Sequence, residues 1–186
     1  MATSDNVLLP KPAPTLDFAD LYDRHPDYEA RRTTGSFEQE QVELEVRRFK
    51  LPNLCGLLDR GALPESVLEI GCATGELISE FPIREGGLRC GVDISPMNIE
   101  AARARYPWVL FRVGDFRGIV DRHFDCVVLS DVLEHVEDDV GFLRDAAGLG
   151  DRILVNLPLE DNWLNRSRKY GAGDASGHLR KYSLQQ

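Results

Sequence analysis

Three short stretches, each with a glycine and an acid close together, carry most of the residues able to do chemistry. In Glu69-Ile70-Gly71-Cys72-Ala73-Thr74-Gly75 an apolar run ends in an acid and enters a glycine-bracketed turn. Gly71 lets the backbone turn sharply and approach a ligand with no Cβ in the way, and Gly75 allows close packing where a helix begins. A purely structural strand-to-helix turn could use the same residues, so this stretch alone does not decide between the two. Gly91-Val92-Asp93-Ile94-Ser95 puts a second acid at the end of the next run. A carboxylate about 20 residues beyond a glycine turn is where a ribose diol is held by two O–H···O⁻ bonds. The competing reading of Asp93 is an N-cap-like aspartate beside Ser95. Gly114-Asp115-Phe116 ends a third run. The Asp115 carboxylate can accept from an exocyclic adenine amine, and the Phe116 backbone N–H can serve the ring. His135 follows a fourth run. An ordinary imidazole pKa of ~6.5 makes it a candidate general base, with a pocket-lining or structural role as the alternative.

These residues need a frame that delivers strand ends to one place. The apolar runs Ser66 to Ile70, Leu88 to Val92, Trp108 to Val113, Phe124 to Leu129 and Arg152 to Asn156 do not alternate polar with apolar. They read as strands buried on both faces. Helical patterns lie between them at Gly75 to Phe81, Pro96 to Arg105 and Asp139 to Ala147. Ser95-Pro96 is an N-cap and first-turn pair, and Gly148 is a stop signal. Such alternation predicts a doubly wound, mostly parallel α/β sheet, whose ligands bind beyond the C-terminal strand ends. Upstream, Leu16 to Tyr28 predicts one or two short helices. Ser36 to Lys50 predicts a longer one, with Val42, Val46 and Phe49 on one face and Pro52 breaking or kinking it. This helical portion is expected to cover the C-terminal edge of the sheet.

In order and spacing, these motifs resemble the class I S-adenosylmethionine-dependent methyltransferases, in particular their broad small-molecule group. Glu69-Ile70-Gly71-Cys72-Ala73-Thr74-Gly75, Gly91-Val92-Asp93-Ile94-Ser95, Gly114-Asp115-Phe116, Phe124-Asp125-Cys126-Val127-Val128 and Ser130-Asp131-Val132-Leu133-Glu134-His135-Val136 carry the likeness. It extends over about Asp17 to Ser183. It implies a Rossmann-like fold, S-adenosyl-L-methionine as methyl donor and S-adenosyl-L-homocysteine as product. The implied cofactor residues are Glu69, Gly71, Cys72, Ala73, Gly75, Asp93, Ile94, Asp115, Phe116 and Ser130. Gly71, Cys72 and Gly75 would wrap the methionine part, and Asp93 would hold the ribose, with Ile94 on the adenine. Asp115 and Phe116 would bind the adenine, and Ser130 would lie near the methionine amine and sulfonium. Ala73 stands where many members have glycine. In Gly177-His178-Leu179-Arg180-Lys181-Tyr182-Ser183, His178 and Arg180 would either contact an acceptor or tie the loop down. His135 and His178 are the catalytic candidates. Arg31 and Arg32 would close on the cofactor carboxylate from the cover. The long polar loop Asp161 to Ser176 is expected to act as a lid. The family's C-terminal antiparallel hairpin is expected to be missing.

The chain has 186 residues, 42% of them hydrophobic, which suits one domain. Residues 1–15 read as a flexible lead-in, and 16–186 as a single domain with a helical cover (16–62) and a core (63–186). A net charge of −9 disfavours phosphate backbones, so the expected partner is a small-molecule acceptor and not nucleic acid. No apolar run approaches the ~20 residues of a membrane span, and the expected location is cytoplasmic. The four cysteines form no C-x-x-C pair, and the four histidines are not spaced to complete a zinc site, so no metal is expected. A nicotinamide-dependent oxidoreductase would need G-x-G-x-x-G, which the Gly71 turn does not supply. A non-catalytic cofactor-binding module is the remaining alternative. The acceptor and the oligomeric state are left open.

Overall fold

The computed structural model describes residues 18–24, 26–58, 63–159, 170–171 and 177–183. The expected lead-in and most of the expected lid loop lie outside these residues.

Two short helices, α1 (Phe18–Arg24) and α2 (Pro26–Arg32), precede α3 (Phe37–Glu45). Ser36 caps α3 by accepting the Gln39 N–H. The helix does not break at Pro52. It widens into a π-helical turn, Val46–Lys50, and continues as α4 (Leu51–Gly56). Proline lacks an N–H and clashes with the preceding turn, and a widened turn makes room for it. The extra residue in that turn also changes which side chains face inward. Phe49, expected to share a face with Val42 and Val46, is 60% exposed. Lys50 is drawn in instead, with its side chain only 17% exposed.

The core then follows the expected alternation: β1 (Ser66–Ile70), α5 (Glu76–Glu80), β2 (Leu88–Asp93), α6 (Pro96–Arg105), β3 (Leu110–Val113), α7 (Phe116–Ile119), β4 (Cys126–Ser130), a 3-10 turn (Leu133–His135), α8 (Asp139–Ala147) and β5 (Ile153–Asn156). The sheet order is β3-β2-β1-β4-β5, and every pairing is parallel. The order of winding reverses between β1 and β4, with β2 and β3 added on one side of β1 and β4 and β5 on the other, so a crevice opens beyond their C-terminal ends. The short α7 is not visible as a hydrophobic pattern; it forms because Asp115 accepts the Arg117 N–H.

Both sheet faces are apolar and covered. Val67, Ile78, Phe81, Ile99 and Phe111 pack on one side. Leu68, Ile70, Phe116, Phe124 and Leu129 pack on the other. Cys72, Cys90 and Cys126 are buried among them as unpaired thiols. Gly75, at φ +87, is where close approach is obligatory, since a Cβ there would sit 2.6 Å from the Phe111 ring.

The helical cover is fastened to the rim of the sheet. Arg32 donates to Tyr22 O, Asp23 O and Asn98 Oδ1. Arg105 pairs with buried Glu76 at 2.7 Å and donates to the carbonyls of Arg31 and Arg32. The Ser95 hydroxyl caps α6 by accepting the Asn98 N–H, and donates to Asp23. These bonds set α1 and α2 above the C-terminal strand ends.

Candidate functional site

Beyond those strand ends lies a cavity of about 650 Å³, in the range that takes a small molecule. Of the ten cofactor residues expected from sequence, nine line it: Glu69, Gly71, Cys72, Ala73, Asp93, Ile94, Asp115, Phe116 and Ser130. Gly75 is not among the lining residues. Its role is packing against Phe111, as its place at the helix start suggested.

The β1 turn is shaped by positive φ. Gly71 sits at φ +77, and a Cβ there would meet Val132 Cγ2 at 2.5 Å. The Val132 side chain therefore occupies the space beside Gly71, in addition to any ligand. Ala73 adopts φ +45, which explains why glycine suits this position. Ala73→Gly should raise stability by up to about 1 kcal/mol. Relief of left-handed strain exceeds the extra unfolded-state freedom of glycine. Urea unfolding would read the gain, and a lowered midpoint would contradict it.

Asp93 is the hinge pin of the site. Its Oδ2 accepts the Ala73 N–H and its Oδ1 accepts the Ser95 N–H, both at 2.8 Å. One carboxylate thus joins the β1 turn to the β2 turn. Burial raises its pKa, opposed by those two backbone hydrogen bonds. The Asn98 side chain is a third donor to the same carboxylate.

Glu69 is buried, and its Oε2 has no hydrogen-bond partner. Desolvation pushes its pKa up to about 8, against the pull of nearby Lys50. Lys50 comes from the π turn and pairs with Asp131 at 2.7 Å and Glu45 at 3.3 Å. Burial works against its charge, but these carboxylates overcome it and hold the pKa above the ordinary value. Asp131 also accepts from Asn156 Nδ2, which in turn donates to Ser130 Oγ. Asn156 at the end of β5 therefore braces the end of β4.

The cover supplies Tyr22, Tyr28 and Arg31 to the cavity wall. The two phenols meet edge to face at 5.0 Å. Burial raises the pKa of each, so both remain O–H donors at neutral pH. The Arg31 guanidinium lies over the Tyr28 ring at 5.0 Å, and its buried Nε has no acceptor. Arg32, expected as a second cation for the cofactor carboxylate, is engaged in holding the cover down and does not line the cavity.

His135 and His178 both line the same cavity, with ring centroids 4.7 Å apart. Nδ1 of His135 lies 3.1 Å from the Gly177 carbonyl. A carbonyl only accepts, so Nδ1 carries a proton, and in the neutral ring Nε2 holds the lone pair. Arg180 is the tie-down of its loop. It donates to the Val136 and Glu137 carbonyls and pairs with Asp139 at 2.5 Å. Tyr22, Tyr28, Lys50 and Glu134 are wall residues that sequence reasoning did not single out. The Lys50 position has no sequence signal, because it follows from the π turn. Glu134 lay within a quoted motif, yet nothing in the one-dimensional pattern shows that it faces inward.

A family profile described as "Methyltransferase domain" matches residues 68–150. The ubiquinone biosynthesis O-methyltransferase of Azorhizobium caulinodans is 35% identical over 109 residues, 55% of this chain and 42% of that protein. The same-named protein of Rhodopseudomonas palustris is 33% identical over 105 residues, 52% of this chain and 41% of its own length. The chain thus spans less than half the length of the curated relatives it matches. Among solved structures, magnesium protoporphyrin IX methyltransferase of Synechocystis PCC 6803, with bound SAH, aligns at TM-score 0.61 and 20% identity, covering 80% of this chain and 74% of that one. A possible histamine N-methyltransferase of Thermotoga maritima aligns at TM-score 0.58 and 22% identity, over 86% and 75% of the two chains. At these identities the structural likeness is one of fold.

Proposed function

We propose that the chain is an S-adenosylmethionine-dependent methyltransferase, a reading supported by the methyltransferase profile over residues 68–150, and that it binds S-adenosylmethionine and moves the methyl group to O, N or C of a small-molecule acceptor by direct displacement. One observation carries the reading. The ends of β1, β2, β3 and β4 deliver Glu69, Asp93, Asp115 and Ser130 to the walls of a single cavity.

The residues present fit the cofactor's separate parts. A buried carboxylate oxygen without a donor (Glu69 Oε2) and a buried guanidinium nitrogen without an acceptor (Arg31 Nε) stand on the walls. They complement an amino-acid end that is both ammonium and carboxylate. Asp93 takes the ribose hydroxyls and Ile94 packs on the adenine, while Asp115 and the Phe116 backbone N–H bind its edge. Gly71, Cys72 and Ala73 wrap the methionine chain, and Ser130 lies toward the sulfonium. When bound, the cofactor supplies a methyl carbon already activated by positive sulfur.

The protein's task is then alignment and exclusion of water more than base strength. Tyr22, Tyr28, His135 and His178 form an aromatic wall around the remaining space. Nε2 of His135 can take the acceptor's proton if the acceptor is a hydroxyl. A cytoplasmic location belongs to the same reading, supported by the buried, unpaired thiols of Cys72, Cys90 and Cys126. So does a single functional unit of cover (16–62) and core (63–186), supported by the Arg32 and Arg105 lashings.

Calorimetric titration should give saturable binding of S-adenosylhomocysteine and none of NADH. Binding of NADH alone would overturn the proposal. Methyl turnover with a labelled donor against hydroxyl, amine and carbon acceptors separates an enzyme from a binding module.

A further inference from the structure

We propose that Glu134, His135 and His178 form a binding site for a divalent transition-metal cation at the wall of the cavity. One ligand atom from each residue can be chosen so that all three lie within 4.8 Å of one another. His135 Nε2 is 4.0 Å from Glu134 Oε1. That is too long for a hydrogen bond. Two ligands on one tetrahedral ion, at ~2.1 Å each, stand about 3.4 Å apart. A small side-chain rotation closes the difference.

An independent feature points the same way. The Nδ1–H of His135 donates to the Gly177 carbonyl, which orients the ring and, in its neutral form, makes Nε2 the ligand nitrogen. Histidines that bind metals are held by this kind of outer hydrogen bond, which sets the tautomer and raises the basicity of the other nitrogen. The same loop is fastened along its length. Leu179 N–H donates to the Glu134 carbonyl at 2.7 Å, and Arg180 to the carbonyls of Val136 and Glu137. These bonds bring His178 to the 3-10 turn. Two imidazoles and one carboxylate favour zinc, manganese or iron over calcium or magnesium. Three protein ligands leave open positions, the arrangement of reactive and not purely structural sites.

All three residues line the cavity assigned above to the acceptor. If the methyl-transfer reading holds, the acceptor class is a molecule presenting hydroxyl oxygen to the ion. Such a hydroxyl loses its proton to bulk water near neutral pH, as metal-bound water does. The ion and a general base compete for the one Nε2 lone pair of His135, so the two roles exclude each other. Cation binding itself does not depend on the methyl-transfer reading.

The test uses the chelator-treated full chain titrated with Zn²⁺ by calorimetry and with Co²⁺ by visible absorption. Expected are one ion per chain and Co²⁺ ligand-field bands. His178→Ala, His135→Ala and Glu134→Gln should each weaken Zn²⁺ at least tenfold. His123→Ala, on the exposed surface beside Asp151, should leave it unchanged. His178 lies outside any helix or strand, so its variant keeps the test valid even where the other two unfold; circular dichroism monitors this. Absence of saturable binding, or wild-type affinity in a folded His178→Ala, overturns the proposal. S-adenosylhomocysteine affinity measured without metal reports separately on the cofactor site.

Discussion

Asp93→Ala should weaken S-adenosylhomocysteine binding by about 1–3 kcal/mol, roughly 5- to 150-fold, from the loss of charge-assisted hydrogen bonds to the ribose. It should also cost the empty protein about 2 kcal/mol or more. The reason is that the carboxylate accepts two backbone N–H groups, from Ala73 and Ser95, in a buried place. Removing it leaves both donors unsatisfied. Asp93→Asn separates the two effects. It keeps the volume and one acceptor, so the turns stay closer to their places while the charge is lost. Affinity should still fall with the charge, measured by calorimetry, while urea unfolding reads the fold. Unchanged affinity in folded Asp93→Asn and Asp93→Ala would remove the ribose assignment.

Glu69 carries the largest expected dependence on pH. Its pKa is near 4.5 in the open chain and about 8 in the fold, raised by desolvation. In that window the folded state holds a proton that the unfolded state has released. The contribution is therefore fully present below about pH 4.5 and is lost as pH rises toward 8. The loss approaches about 5 kcal/mol at the upper end. Glu69→Gln cannot ionise and should remove it. Unfolding curves of the two proteins should diverge as pH rises from 5 to 8, with the variant gaining relative stability throughout. Parallel curves would show that Glu69 ionises normally. A cationic ligand should favour the ionised carboxylate. Binding near pH 7 is then expected to release a proton, seen as a calorimetric heat that depends on the buffer's ionisation enthalpy.

Much of this was legible before folding, because strand ends and turns are written locally. Ser95, Ser36 and Gly75 act as sequence chemistry predicts: two hydroxyl caps and one glycine at a crowded turn. Asp93 and Asp115 reach the cavity because a parallel sheet sends every strand's C-terminal end to one edge. What escaped depends on contacts between distant segments or on a local exception. Lys50 points inward through a π turn that periodicity cannot register, and Phe49 points outward for the same reason. Arg31 and Arg32 are neighbours of one type, yet one lines the cavity and the other is spent on the Tyr22 and Asp23 carbonyls. Histidine spacing along the chain gave no reason to expect a metal. His178 meets His135 only because the 177–180 segment is hydrogen-bonded onto residues 134–137.

The strand order β3-β2-β1-β4-β5 has a consequence for how such a protein can diversify. Glu69, Asp93 and Asp115 stand on one side of the seam between β1 and β4. Asp131, Glu134 and His135 stand on the other, after β4. Each half is built from its own contiguous stretch of chain, and they share a boundary more than a set of residues. Under the proposed function, substitutions after Val132 would alter the acceptor side more than the donor side, and recombination at the seam would exchange one half as a cassette.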